Sequence, residues 1–353
     1  MDLGDWRSRI SELDNQILKL LNQRAEAALQ IGDLKRRQDA PSYVPEREAS
    51  ILNRLVAANA GPLPADAVLA VWREILSACR ALEAPVTVAY LGPPATFTHQ
   101  AARERFGDAV EFHPSRSIAD VFEDVERARA QFGVVPIENS IEGAVNVTLD
   151  RLVDSDLKIC GELTLEIGQY LLSRATELRE VKRVLSHPQG LAQCRGWLAA
   201  HLPDVPVEET TSTAAAAELA AGDATVAAIA SELAGRLYGV PVLRARIEDL
   251  RQNTTRFLVI GRQATRPSGR DKTSILFAMP NQPGALYRIL EPFARLAINL
   301  TKIESRPAKR VPWDFVMFVD FEGHGETPLV AGALREIAER TRFLKILGSY
   351  PAA

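Results

Sequence analysis

Three cysteines in 353 residues, at Cys79, Cys160 and Cys194, are odd in number and widely scattered. They make neither a disulfide framework nor a zinc-binding spacing, so a reducing compartment is expected. A run of about 18 apolar residues, long enough to span a bilayer, is missing. The opening MDLGDWRSRI has no apolar signal core. Both absences point to a cytoplasmic protein with no membrane partner. Charge of one sign is also lacking: the formal net charge is −3, so no basic face dominates and a nucleic-acid partner is not expected. The five histidines (His99, His113, His187, His201, His324) show no H-x-x-x-H pairing. G-x-G-x-x-G, G-x-x-x-x-G-K-[ST] and G-x-S-x-G do not occur. AYLGPPATF offers one glycine, Gly92, where a dinucleotide turn needs several. Metals, nucleotides and nicotinamide are thereby disfavoured, no cofactor is expected, and ordinary side chains must carry any chemistry.

What is present is ordinary globular composition, 46% apolar and 25% charged. The length predicts two or three domains. Up to about Ala84 the pattern is helical throughout. Ile10, Leu13, Ile17, Leu20, Leu21, Ala28, Ile31 and Leu34 recur at helical spacing without an internal proline. A helix of roughly thirty residues is about 45 Å long and needs helical partners, most economically a second copy of itself. Arg24 and Lys35 share a face of it, while Arg7 lies roughly 100° round, where a partner chain could supply it. Arg47 and Glu48 begin a second helix, and Cys79 and Glu83 are neighbours one turn apart on a third. On their own these residues read first as solvated charges on helix faces, the usual fate of charged residues.

Residues 85–263 alternate short apolar strands with helices, an α/β pattern that fits one sheet or two lobes. Within them RQNTTRFLVIG joins a polar start, Asn253-Thr254-Thr255-Arg256, to the buried strand Phe257–Gly261. RQATRPSGRDKT reads as a basic linker. Residues 272–353 follow in β-α-β-β-α-β order, a small ferredoxin-like module.

Here a resemblance enters. RSRISELDNQILKLLNQR, IGDLK and YVPERE resemble the all-helical chorismate mutases over residues 1–84. The resemblance implies an intertwined dimer that binds chorismate between Arg24 and the partner's Arg7, with Lys35 donating to the ether oxygen and Glu48 holding the ring hydroxyl. Val44, Arg47, Cys79 and Glu83 would complete that pocket. Many relatives have an acidic residue or arginine in place of Val44, some have serine in place of Cys79, and glutamine-bearing relatives have it at Glu83. To donate there, Glu83 must carry a proton, which burial beside the substrate favours.

YLGPPATFTHQAA, GVVPIENSIEG, VLSHPQGLAQC, TSTAAAA, AAIASELAGRLYG and NTTRFLVIG, in that order, resemble prephenate dehydratase over residues 85–263. This implies two lobes enclosing a cleft, as in periplasmic binding proteins. Thr255 would be the essential hydroxyl, assisting loss of the prephenate ring hydroxyl as carbon dioxide leaves. Thr254, Arg256 and Phe257 would shape the site. Thr96, Phe97, Asn139, Ser140, Ser186, Gln189, Ser212 and Thr213 would add contacts at strand–helix junctions, where Ser and Thr also serve as plain helix caps. Ala95 stands where relatives commonly have glycine, at a cost if its φ is positive.

NQPGALYRIL and KIESRP resemble the ACT domain of phenylalanine-regulated dehydratases. Asn281, Gly284, Ala285, Leu286, Glu304 and Ser305 would then bind L-phenylalanine at an interface between paired domains. The whole chain is thus expected to be a multidomain α and α/β enzyme, at least a homodimer, acting on chorismate and then prephenate. A non-catalytic sensor built on the same domains is the competing reading, and the intact Thr-Thr-Arg-Phe motif speaks against it.

Overall fold

The computed structural model describes residues 2–38, 43–307 and 315–352. The chain divides into two compact units, residues 1–87 with 106–111, and residues 88–105 with 112–353.

The first unit is built on three helices, α1 (Leu3–Arg37), α2 (Pro45–Ala58) and α3 (Ala65–Glu83). A reciprocal capping box between Asp2 and Asp5 starts α1, and Pro45 starts α2 where its missing N–H costs nothing. Of the 35 residues of α1, only Ala28 and Gly32 are buried within the protomer. A Cβ at Gly32 would lie 3.0 Å from the Glu83 Cα, so the glycine lets α1 close on the end of α3. Further towards the N-terminus, Trp6, Ile10, Leu13, Ile17 and Leu20 are exposed. Those are largely the positions whose spacing predicts a buried face.

The second unit holds two lobes and a third sheet. Its chain runs β1 (Thr87–Leu91), α4 (Phe97–Phe106), β2 (Glu111–Ser115), α5 (Ile118–Glu126), β3 (Phe132–Asn139), β4 (Gly143–Ala144), α6 (Asn146–Asp154) and β5 (Lys158–Glu166). The second lobe follows as β6 (Tyr170–Ser173), β7 (Arg183–Ser186), α7 (Pro188–Gln193), α8 (Arg195–His201), β8 (Val207–Glu209), α9 (Thr213–Gly222), β9 (Val226–Ala230), α10 (Glu232–Tyr238) and β10 (Val242–Arg244). The chain then returns to the first lobe as β11 (Thr254–Gly261), which inserts between β3 and β5 in the order β2-β1-β3-β11-β5. The second sheet has the order β10-β6-β9-β7-β8, so the middle segment is two lobes and not one sheet. Where the chain crosses between them, Ile167 N donates to Asn253 O at 2.8 Å and Ile247 N to Gln169 O at 2.9 Å, tying the two crossing segments together.

The last segment has the expected order, β12 (Asp271–Ala278), α11 (Ala285–Arg295), β13 (Leu300–Pro307), β14 (Phe315–Glu322), α12 (Pro328–Arg340) and β15 (Phe343–Pro351). Its antiparallel sheet runs β13-β14-β12-β15. Strand alternation splits its residues between two faces. Ile275, Phe277, Val319 and Phe321 pack under the helices with Ile289, Phe293 and Ile337. Leu276, Val316, Phe318 and Tyr350 turn the other way, into one core with Ile137, Leu149, Ile159 and Leu258 of the first lobe. The sheets approach so closely that a Cβ at Gly348 would overlap the Ile159 carbonyl oxygen. The stretch predicted as a linker is irregular and largely exposed, but it is pinned at two points. Thr265 is buried and donates to the Ser349 carbonyl, and Asp271 accepts from the backbone of Ser268 and Gly269. The three cysteines are buried thiols, none of them in a disulfide. Among the described residues no helix is long and apolar enough to cross a membrane.

Candidate active sites

In the helical unit, a cavity of about 180 Å³ is lined by Arg24, Lys35, Val44, Arg47, Glu48, Cys79 and Glu83. Every chorismate residue expected from one chain is therefore gathered there. Arg7 is not: it lies 28 residues before Lys35 on α1, about 42 Å along a straight helix. Lys35 Nζ donates to Glu83 Oε2 at 2.8 Å, a pairing made possible by the approach at Gly32. Arg80 lines the cavity too and was missed in the sequence. It is buried, donates to Glu48 Oε2 at 2.9 Å and to the Phe106 carbonyl at 2.5 Å, and lies over the Tyr43 ring at 4.7 Å. Its signal was available, because Leu76, Cys79, Arg80 and Glu83 share one face of α3 by helical spacing.

Between the lobes lies a cleft of about 460 Å³ that contains Thr96, Phe97, Asn139, Gln189, Ser212, Thr213, Thr255 and Phe257 in its walls. Thr255 sits opposite Asn139 on the neighbouring strand. Backbone N–H groups of Ile141 and Glu142 both donate to Asn139 Oδ1 at 3.0 Å, which fixes the amide. Its Nδ2 then donates to Thr255 Oγ1 at 2.8 Å and to Asn253 Oδ1 at 2.7 Å. The polar start of this buried strand is thus satisfied first by the protein. With its oxygen already accepting, the Thr255 hydroxyl is set to donate its proton elsewhere.

Other expected residues stand apart from the cleft walls. Ser186 is fully buried and donates to Ile229 O at 2.7 Å. Ser140 and the backbone of Thr254 bond each other, clamping the ends of β3 and β11. Arg256 is turned away by the two-residue period of β11, which puts Thr255 and Phe257 on one face and Arg256 on the other. Its guanidinium meets Glu162 at 2.7 Å, Asp320 at 2.6 Å and Tyr350 Oη at 3.1 Å, beneath the third sheet. Burial opposes its charge, but the Asp320 and Glu162 carboxylates outweigh it and hold the group above its ordinary pKa. Burial, then Asp320, push the Tyr350 phenol well above its usual range, so it stays protonated. Thr96 and Ser212 both line the cleft and serve as local caps: Thr96 Oγ1 accepts from His99 N, and Ser212 Oγ from Ala215 N. Ala95 does adopt a positive φ, 71°, with its N–H donating to His99 Nδ1. Arg116, Glu142, Gln169, His187 and Gln193 line the cleft unanticipated. Gln189 Nε2 donates to Glu142 Oε1 at 2.5 Å, joining the two lobes across it.

In the third sheet, Gly284 has φ +73° and precedes α11, with Asn281 exposed, Ala285 buried and Leu286 half-buried. Glu304 and Ser305 lie on the edge strand β13 and alternate faces. Glu304 shares its face with Lys302 and Arg306, which bind Glu138 at 2.8 Å and Asn146 at 2.5 Å in the first lobe. Ser305 is exposed on the other. Among the described residues no group of three His, Cys, Asp or Glu could hold a metal.

Comparison with known proteins covers the whole chain. Residues 6–84 match the chorismate mutase type II family, 88–265 the prephenate dehydratase family and 273–339 the ACT domain. A bifunctional chorismate mutase/prephenate dehydratase of Aquifex aeolicus is 49% identical, across 100% of this chain and 98% of its own length. The prephenate dehydratase of Arthrobacter aurescens, solved in complex with L-Phe, is 36% identical with a TM-score of 0.68, over 75% of this chain and 90% of its own. A solved protein described as a novel type of quorum quenching acylase is 32% identical with a TM-score of 0.69, over 76% of this chain and 98% of its own. The chain belongs to the bifunctional chorismate mutase/prephenate dehydratase family, an enzyme with a helical mutase domain, a two-lobed dehydratase domain and an ACT regulatory domain.

Proposed function

We propose that the helical cavity rearranges chorismate to prephenate, and that the interlobe cleft converts prephenate to phenylpyruvate. In the cavity, Arg24 and the partner's Arg7 hold the two carboxylates, Lys35 and Glu83 donate to the ether oxygen, and Glu48 holds the ring hydroxyl. The rearrangement is pericyclic, so positioning and electrostatics suffice without a covalent intermediate. The working form is a cytoplasmic homodimer or larger homo-oligomer, in which the exposed apolar row on α1 is covered by a second copy.

In the cleft, the electron pair of the bond to the ring carboxylate moves into the ring as carbon dioxide leaves. The ring hydroxyl departs with its own bonding pair and takes the Thr255 proton to leave as water. Thr255 then recovers a proton from solvent. The observation that carries this reading is the Asn139 amide donating to Thr255 Oγ1 at 2.8 Å within the cleft. Asn139→Ala is expected to lower the dehydratase kcat by about a hundredfold or more, the size of a mispositioned general acid, and to leave chorismate rearrangement intact. An unchanged dehydratase rate would remove Asn139 from the mechanism.

L-phenylalanine is proposed as the feedback inhibitor, held by Asn281, Gly284, Ala285, Leu286, Glu304 and Ser305 across paired ACT domains. The relative solved with L-Phe supports this. Phenylalanine titrated into the dehydratase assay without loss of rate would refute it.

A further inference from the structure

We infer that Arg116 holds the side-chain carboxylate of prephenate, the one that survives into the product, and so sets substrate affinity without taking part in the chemistry. Among the described residues lining the cleft it is the one arginine or lysine. It sits between the end of β2 and Ser117, the residue that caps α5. Among the described residues it makes no hydrogen bond or ion pair. The carboxylate near it in sequence, Asp124, is buried and already taken by Arg129 at 2.7 Å and Ser115 at 2.7 Å. The carboxylate in the cleft wall, Glu142, accepts from Gln189. Arg116 is therefore an unspent cation beside a cleft proposed to receive a dianion.

The choice between the two substrate carboxylates follows from what each does during reaction. The ring carboxylate loses its charge as it becomes carbon dioxide. A guanidinium clamped to it would stabilise the substrate more than the transition state and slow the step. The side-chain carboxylate keeps its charge from substrate to product, so a cation there binds all states alike. The neutral donors of the cleft, Asn139 and Thr255 among them, are left for the reacting end of the molecule.

This inference rests on the cleft being the dehydratase site, and the experiment separates the two. Arg116→Gln, Arg116→Lys and Thr255→Ala are assayed with prephenate, with the circular dichroism spectrum and the urea unfolding midpoint of the full chain as the check that each variant is folded. Arg116→Gln is expected to raise KM by roughly tenfold to a hundredfold, the worth of a hydrogen bond to a charged group. Its kcat is expected to stay within about twofold of wild type, because uniform binding is what is lost. Inhibition by added phenylpyruvate should weaken by the same factor as KM rises, and Arg116→Lys should recover part of both. An unchanged KM, or a fall in kcat at constant KM, overturns the assignment. A Thr255→Ala enzyme with full dehydratase rate would instead remove the reading of the cleft on which it stands.

Discussion

At the scale of single residues, the Thr-Arg-Phe run shows how far local sequence carries. That a buried strand opens with amide and hydroxyl groups was visible, and so was the prospect of a site there. The direction of Arg256 was visible as well, through the two-residue period of a strand, but the motif invites reading its members as one constellation. Asn139 could not be paired with Thr255 from sequence, because the two are 116 positions apart and meet only through strand register. In the helical cavity the open chemical question is Glu83, which Lys35 meets at 2.8 Å. A carboxyl group donates to the ether oxygen only while it carries a proton, whereas an amide donates without one. Glu83→Gln is expected to keep most of the mutase kcat/KM while Glu83→Ala loses about tenfold or more. Equal losses in the two variants would mean that Glu83 does not act as the donor.

At the scale of elements, the order of the final β-α-β-β-α-β module was legible because its hydrophobic alternation is clean. Strand β5 was not. Its Glu162 is buried and bonded by both Arg256 and Lys272, at 2.7 and 2.6 Å, so a charge sits where a reader looks for an apolar residue. The same cluster fastens the third sheet to β11 from the side opposite Thr255. Asp320 and Tyr350 of that sheet both meet Arg256. Arg256→Gln leaves Glu162 and Asp320 short of their counter-charge in a buried setting. It should cost about 3–5 kcal/mol, as breaking one partner of a buried ion pair does. Urea unfolding measures this, and a loss under about 1 kcal/mol would class the cluster with exposed pairs.

At the scale of the whole molecule, the length of α1 already called for a second copy, but the sequence could not show which of its residues that copy would cover. The apolar row of α1 reads as a core face, yet in one protomer Ile10, Ile17 and Leu20 are each more than half exposed, at 57%, 54% and 64%. Arg7, on the same stretch, lies far from the cavity it is proposed to serve. Both observations are accounted for if two α1 helices pair. Chains carrying Arg7→Ala and chains carrying Arg24→Ala should each lack mutase activity. Co-expressed, they should regain about a quarter of it, since half of randomly paired dimers hold one intact cavity. Recovery of none would mean that each cavity draws on one chain only.

The central claim, two consecutive reactions with the second at Thr255, is tested most directly by giving purified protein chorismate alone. Prephenate and phenylpyruvate are scored separately for wild type and Thr255→Ala. Wild type should finish as phenylpyruvate, while the variant should consume chorismate and accumulate prephenate. Phenylpyruvate formed by the variant at the wild-type rate, or chorismate left untouched by both, would contradict the account.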